Sequence, residues 1–152
     1  MMTRDELKEL ITEVQQSQCE LADIEVKSAH GGTPQRLYEP LSAFSNRTEG
    51  GVILFGLDES RNFEIVGVGN AHRLQEEICH LAWTDMEPQI HPEFTVELFD
   101  GKTVVALEVS PVAANKRPCH YKTSGLQKGS YIRIGNTNRL MTDYEIFGYR
   151  YS

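Results

Sequence analysis

The chain has 152 residues, with 15 Lys/Arg, 22 Asp/Glu and a formal charge of −7. That length suits one domain with one ordinary core, no apolar run approaches the roughly 20 residues a membrane helix needs, and from the charged, polar N-terminus no secretory signal is expected. Three cysteines, odd in number and widely spaced, predict free thiols in a reducing cytoplasm rather than a disulfide framework.

Thr3 followed by Glu6 forms a capping box, in which hydroxyl and carboxylate each satisfy a backbone N–H at a helix start. Leu7, Leu10, Ile11 and Val14 then recur at helical spacing and predict one apolar face as far as residue 17. Ile24 and Val26 alternate with Glu25 and Lys27, the pattern of a short strand with one buried face. Gly31-Gly32 interrupts it, and Thr33-Pro34 opens a helix as N-cap and first-turn proline. That helix runs to Asn46 and buries Leu37, Leu41 and Phe44. Pro40 falls inside it, so the helix is either kinked there or begins afresh near Glu39.

Residues 52–57 are apolar without alternation, as in a central strand covered on both faces. Residues 58–62 turn, 63–68 return as a strand, and 72–84 form a helix with Leu74, Ile78, Leu81 and Ala82 inward. Cys79 and Trp83 are read as packing residues of that helix. Residues 94–99 and 103–109 make a hairpin around Asp100-Gly101, a pair suited to a type I′ turn. Residues 111–128 form a basic loop with prolines, 131–135 a strand, and Thr142 caps a helix over 143–149. Imperfect alternation of strands and helices, with a hairpin in the middle, predicts an α+β (mixed α/β) fold. Its expected form is a mixed sheet of about six strands with three to four packed helices.

The charge is unevenly spread. Residues 101–152 hold eight Lys/Arg against three Asp/Glu, a balance of +5; residues 1–100 hold seven against nineteen, a balance of −12. A basic C-terminal third on an acidic body can present a positive surface that the net charge conceals, the alternative being an ordinary solvated surface.

Three segments stand out together. Glu20-Leu-Ala-Asp-Ile-Glu25-Val-Lys27 is followed by a helix ending at Asn46, a Gly50-Gly51 turn and an apolar strand that delivers Asp58; Gly129-Ser-Tyr131-Ile-Arg133-Ile-Gly135-Asn136 comes later. In this order and spacing they resemble the Schlafen/AlbA-type domain, formerly labelled a divergent AAA domain, over residues 20–146. Glu20, Glu25 and Lys27 match that family's Glu-x4-Glu-apolar-Lys opening, with Val26 where an aromatic is usual. Arg117-Pro118 and the Tyr-Ile-Arg-Ile-Gly strand match its later landmarks. The resemblance implies an AlbA-like fold and DNA or RNA binding. In Schlafen-type nucleases the acidic positions matched here by Glu20, Glu25 and Asp58 form the active site. Such domains usually begin transcriptional regulators or RecG-related ATP-dependent helicases. The 152 residues are therefore expected to be the N-terminal part of a longer protein, with any ATPase or helicase activity elsewhere. No Gly-x4-Gly-Lys-Ser/Thr occurs, so a P-loop is absent and ATP is not expected to bind this segment.

Glu25 and Lys27 lie two apart on a strand and so share a face. Phosphodiester hydrolysis needs a carboxylate to hold a divalent cation and a positive group near the developing phosphorane charge. Glu20, Glu25, Lys27 and Asp58 are therefore the candidate catalytic set, with Glu20, Glu25 and Asp58 as hard-oxygen ligands of Mg2+ or Mn2+ in a nuclease. The competing reading makes Glu25 and Lys27 a solvated strand face and Asp58 a turn stabiliser.

For nucleic-acid binding, Lys116, Arg117, Lys122, Lys128, Arg133 and Arg139 are the candidates to neutralise phosphates. Arg133, between Ile132 and Ile134, is expected to face away from the side those two bury. Asn136, within Gly135-Asn136-Thr137-Asn138, supplies an amide donor able to grip a phosphate. Tyr121 and Tyr131 either stack on unpaired bases or sit in the core. Asn46 reads as a left-handed helix cap and Gly50-Gly51 as a tight turn. Cys79-His80 and Cys119-His120 lack the spacer that zinc ligands use, so zinc is not expected. The leading expectation is a nucleic-acid (DNA or RNA) binding module. A metal-dependent nuclease acting on structured RNA or single strands is the alternative, and a protein-interaction or homo-oligomerisation domain the third.

Overall fold

A computed structural model describes residues 1–151. The first half contains α1 (Arg4–Ser17), β1 (Ile24–Lys27), α2 (Tyr38–Ser45), β2 (Gly51–Phe55), β3 (Leu57–Asp58), β4 (Glu64–Ile65) and α3 (Ala71–His80). The second contains β5 (Met86–Glu87), β6 (Glu93–Phe99), β7 (Lys102–Val109), β8 (His120–Tyr121), α4 (Gly125–Gly129), β9 (Tyr131–Ile134), β10 (Thr137–Leu140) and α5 (Asp143–Arg150). The class is mixed α+β. Its main sheet has four strands in the order β1–β2–β7–β6, and the remaining strands form three two-stranded ribbons.

β1 and β2 run parallel and are joined through α2, while β7 is antiparallel to both β2 and β6. The sheet is a filling between helices. Leu7, Ile11 and Val14 of α1 pack on one face with Ile24, Val26, Leu54 and Ala106. Leu41 and Phe44 of α2, with Leu74 and Ile78 of α3, cover the other face over Ile53, Phe55 and Leu107. β2 therefore buries both faces, which is why it reads as an unbroken apolar run. At Gly50 (φ +67°) and Gly51 the turn into β2 brings the backbone against the Val109 carbonyl and the Phe44 ring, leaving no room for a Cβ.

Local signals held where they were self-contained. The Thr3–Glu6 capping box is present in both directions, and Asp100 (φ +53°) and Gly101 (φ +76°) have the two positive values a type I′ turn requires. α2, however, starts at Tyr38 rather than Thr33. Arg36 adopts a left-handed conformation (φ +61°), so residues 28–37 stay irregular. Pro40 then falls in the first turn, where its missing N–H has no partner to lose. The expected helix over 72–84 ends as α3 at His80 and continues as a π-turn (Leu81–Asp85). Cys79 is exposed, and Trp83 is 51% exposed with its ring edge-on to His91, so neither belongs to the core. Residues 63–68 keep only β4, and the basic loop of 111–128 contains β8 and α4. Strand β10 had no counterpart in the sequence reading, although Gly135 (φ +59°) followed by Asn136 is the signature of a type II′ hairpin.

Candidate nucleic-acid interface

Because Ile24 and Val26 face α1, Glu25 and Lys27 leave β1 on the opposite side, at the edge of the sheet. The β9–β10 hairpin lies over that edge. From it Arg133 reaches inward, with a side chain only 1% exposed. Its Nη1 donates to Glu25 Oε1 at 2.6 Å and to Asn138 Oδ1 at 3.0 Å. Nε and Nη2 donate to the carbonyls of Ala22, Leu21 and Ile24 at 3.1, 3.0 and 2.9 Å. The guanidinium also lies 4.9 Å from the centre of the Phe44 ring. This overturns the expectation that Arg133 points outward to phosphate. The hairpin meets backbone carbonyls at the start of β1 and in the loop before it, not an apolar surface, so arginine is the inward residue and Ile134 stays exposed. Glu25 Oε1 accepts a further hydrogen bond from Asn138 Nδ2 at 3.2 Å, and its Oε2 lies 3.2 Å from Lys27 Nζ.

Glu20 Oε2 accepts from the Val26 N–H at 2.6 Å. Burial pushes its carboxyl up to about 6, the Val26 hydrogen bond pulls the other way, and the negative charge of Glu25 adds to the rise. Asp58 is placed elsewhere. Its Oδ1 accepts from the N–H and hydroxyl of Ser60 at 3.0 and 2.6 Å, capping a short 3-10 turn (Glu59–Arg61). It lines a separate depression with His30, Arg61, Glu64 and Lys102. Among the described residues no three His, Cys, Asp or Glu side chains are grouped to hold one metal ion. The expected convergence of Glu20, Glu25 and Asp58 is therefore not found: the Asp58 carboxylate is taken up by its own turn.

Beside the Glu25–Arg133 pair opens a polar groove of about 380 Å³. It is lined by Glu25, Lys27, Gln35, Arg36 and Glu39 from the β1–α2 segment and by Asn136, Thr137 and Asn138 from the β9–β10 hairpin. Arg36 Nε is 2.9 Å from Glu39 Oε2. The lining carries two cations, Lys27 and Arg36, against two carboxylates, Glu25 and Glu39, together with several amide donors, and the buried Arg133 pairs with Glu25 from behind. Such a surface can bind an anion with hydrogen-bonding oxygens, as a phosphodiester is.

Of the seven residues expected to touch nucleic acid, Asn136 lines this groove. Lys116, Lys122 and Lys128 are exposed outside it, with Lys122 Nζ 3.9 Å from Glu87. Arg117 donates to the Val112 carbonyl, and Arg139 pairs with Glu145 at 2.8 Å. The tyrosines are core residues rather than free platforms. Tyr121 stacks on Tyr38 with centroids 4.2 Å apart, Tyr131 is buried against the same ring, and burial raises the Tyr131 phenol above its usual range. Asn46 is no left-handed cap (φ −89°). Buried, it accepts from the Cys119 N–H at 2.6 Å and donates to the Cys119 and Tyr131 carbonyls at 3.1 Å, tying α2 to the start of β9. The sequence reading missed Gln35 and Arg36. A polar loop at the carboxyl end of a strand leading into an α/β crossover is the signal that could have found them.

The fold and groove define a class: a small α+β domain in which a β1–α2–β2 unit is roofed at its edge by a β-hairpin. Residues 20–142 match the family model described as Schlafen, AlbA_2, and the chain belongs to that family. It is similar to the N-terminal domain, solved by solution NMR, of a provisionally assigned ATP-dependent DNA helicase RecG-related protein from Nitrosomonas europaea. The TM-score is 0.67 at 25% identity, over 88% of this chain and 92% of the other. The crystal structure of the DIP2311 protein from Corynebacterium diphtheriae shares the fold with a TM-score of 0.62 at 16% identity, over 97% of this chain and 28% of that one. No curated protein matches the chain. No described helix is long and apolar enough to cross a membrane.

Proposed function

We propose that this domain binds nucleic acid, DNA or RNA, in the cytoplasm, through the groove between residues 27–36 and the β9–β10 turn. On this reading it serves as the N-terminal module of a transcriptional regulator or a RecG-related, helicase-like protein. Family membership and the name of the Nitrosomonas neighbour support the nucleic-acid connection. The observation that carries the placement is the groove itself. Glu25 is already held by the buried Arg133, so the Lys27 ammonium beside it and the exposed Arg36 guanidinium, paired on one side with Glu39, stand next to the amides of Gln35, Asn136 and Asn138. The exposed Lys116, Lys122 and Lys128 can meet phosphates of a longer strand, whereas Arg133 is committed to the fold.

The test is fluorescence anisotropy with labelled RNA and DNA oligomers across a salt series. Lys27→Glu with Arg36→Glu should weaken binding by about tenfold or more and lower the salt slope by about 2. Lys122→Glu with Lys128→Glu should cost less. Undiminished binding by the first pair would remove the groove from the interface. A metal-dependent nuclease keeps one observation in its favour, the closeness of Glu20 and Glu25: burial is the main reason the Glu20 carboxyl is raised, and the Glu25 charge adds to it. Cleavage with Mn2+ that both EDTA and Glu20→Gln abolish would select that reading instead.

A further inference from the structure

Helix α5 is anchored by Ile146, which is buried, and by Glu145, whose Oε2 pairs with Arg139 at 2.8 Å. Its opposite side is covered by none of the described residues. Tyr144, Phe147 and Tyr151 are 86%, 62% and 71% exposed, at spacings of three and four residues that align them along one stripe. The Phe147 and Tyr151 rings already pack together with centroids 4.8 Å apart. Beside the stripe lie Asp143 at one end of the helix and Arg150 at the other, both exposed and one heptad apart.

We propose that this stripe is a self-association surface whose partner is α5 of a second copy, packed antiparallel about a two-fold axis near Phe147. The sequence around that axis is self-complementary. The two Phe147 rings meet at the centre, Tyr144 of each copy faces Tyr151 of the other, and Asp143 of each opposes Arg150 of the other. A single-stranded nucleic acid stacking on the rings fits less well, because Tyr144 stands between two carboxylates, Asp143 and Glu145, at the acidic end of the helix. Six rings of this exposure bury roughly 600–1,000 Å² in total. That is below the area of standard specific interfaces, so a reversible dimer with a dissociation constant in the micromolar to millimolar range is expected. The surface is separate from the groove and does not depend on it.

Sedimentation velocity over a concentration series tests the proposal. The unmodified chain should pass from monomer to dimer, and Phe147→Glu should remain monomeric while keeping its circular dichroism spectrum. Asp143→Arg and Arg150→Asp should each weaken self-association by about fivefold or more, since each places like charges together at both ends. Mixing those two variants should restore a dimer, because every contact in the mixed pair is again between opposite charges. A chain that stays monomeric throughout, a Phe147→Glu variant that dimerises normally, or a mixture that fails to associate overturns the proposal. So does a Phe147→Glu variant that loses binding to a labelled single strand with no change in association, which would assign the rings to nucleic acid.

Discussion

Two arginines serve one groove and do opposite work. Arg133 has a side chain 1% exposed with donors satisfied by Glu25, Asn138 and three backbone carbonyls; Arg36 has one 66% exposed and a single carboxylate partner. The first is a fastener between the β9–β10 hairpin and the edge of β1. The second stands exposed at the groove, paired with Glu39. Residue type alone says nothing about which is which. The difference lies in what each loop or strand is laid against: backbone carbonyls and a buried carboxylate for Arg133, a largely open surface beside Glu39 for Arg36.

The largest effect expected from this contrast is on stability. Arg133→Met removes the buried partner of Glu25, leaving it only Lys27 and Asn138, and strips three backbone carbonyls of their donor, so it should cost about 3–5 kcal/mol, whereas Arg36→Met should cost less than about 0.5 kcal/mol. Urea denaturation monitored by circular dichroism reads both, and equal costs would erase the distinction. Asn46→Ala comes next. It strips a buried side chain of its bonds to Cys119 and Tyr131, and should lower stability by roughly 2–3 kcal/mol in thermal unfolding.

A smaller, pH-dependent effect belongs to Glu20. Its folded value of about 6 lies above the ordinary 4.5, so the folded state holds the proton more tightly. The group therefore favours folding below about pH 4.5, and that contribution is lost as pH rises through 6. Glu20→Gln should accordingly be more stable than the parent by about 1 kcal/mol at pH 7, after allowing for solvent screening, with the gap closing below pH 5. A gap that widens on acidification would contradict the assignment. Smallest of all, Arg73→Ala removes an exposed pair with Glu77 on α3 and should change stability by only a few tenths of a kcal/mol.

These contrasts also explain how far the sequence could be read. The Thr3 capping box, the Asp100-Gly101 turn and the apolar β2 strand are decided by neighbours a few residues away, and each was legible. The family motif was legible for the same reason, as a run of residues in order. Two of the failures were decided at long range. Arg133 meets Glu25 across 108 positions, and Asn46 meets Tyr131 across 85. The alternation rule applied to Ile132–Arg133–Ile134 assumed that a strand buries its apolar side, but this hairpin covers a polar sheet edge. Asp58 is a local case: of the two readings open to a carboxylate at a strand end, metal ligand or turn stabiliser, its bonds to Ser60 fit the second. Lys27 was found through its spacing from Glu25, while Gln35 and Arg36 were hidden in a loop read as the start of a helix.

The central claim is that the groove, and not the basic residues of the C-terminal third at large, receives nucleic acid. Its most direct test is a map of backbone amide shifts during titration of the 15N-labelled domain with a short RNA or DNA oligomer. The account predicts the largest changes at Lys27, across residues 31–36 and at Asn136–Asn138, with Lys116 and Lys122 moving less. Shifts concentrated at Lys116, Lys122 and Lys128, with the groove silent, would contradict it.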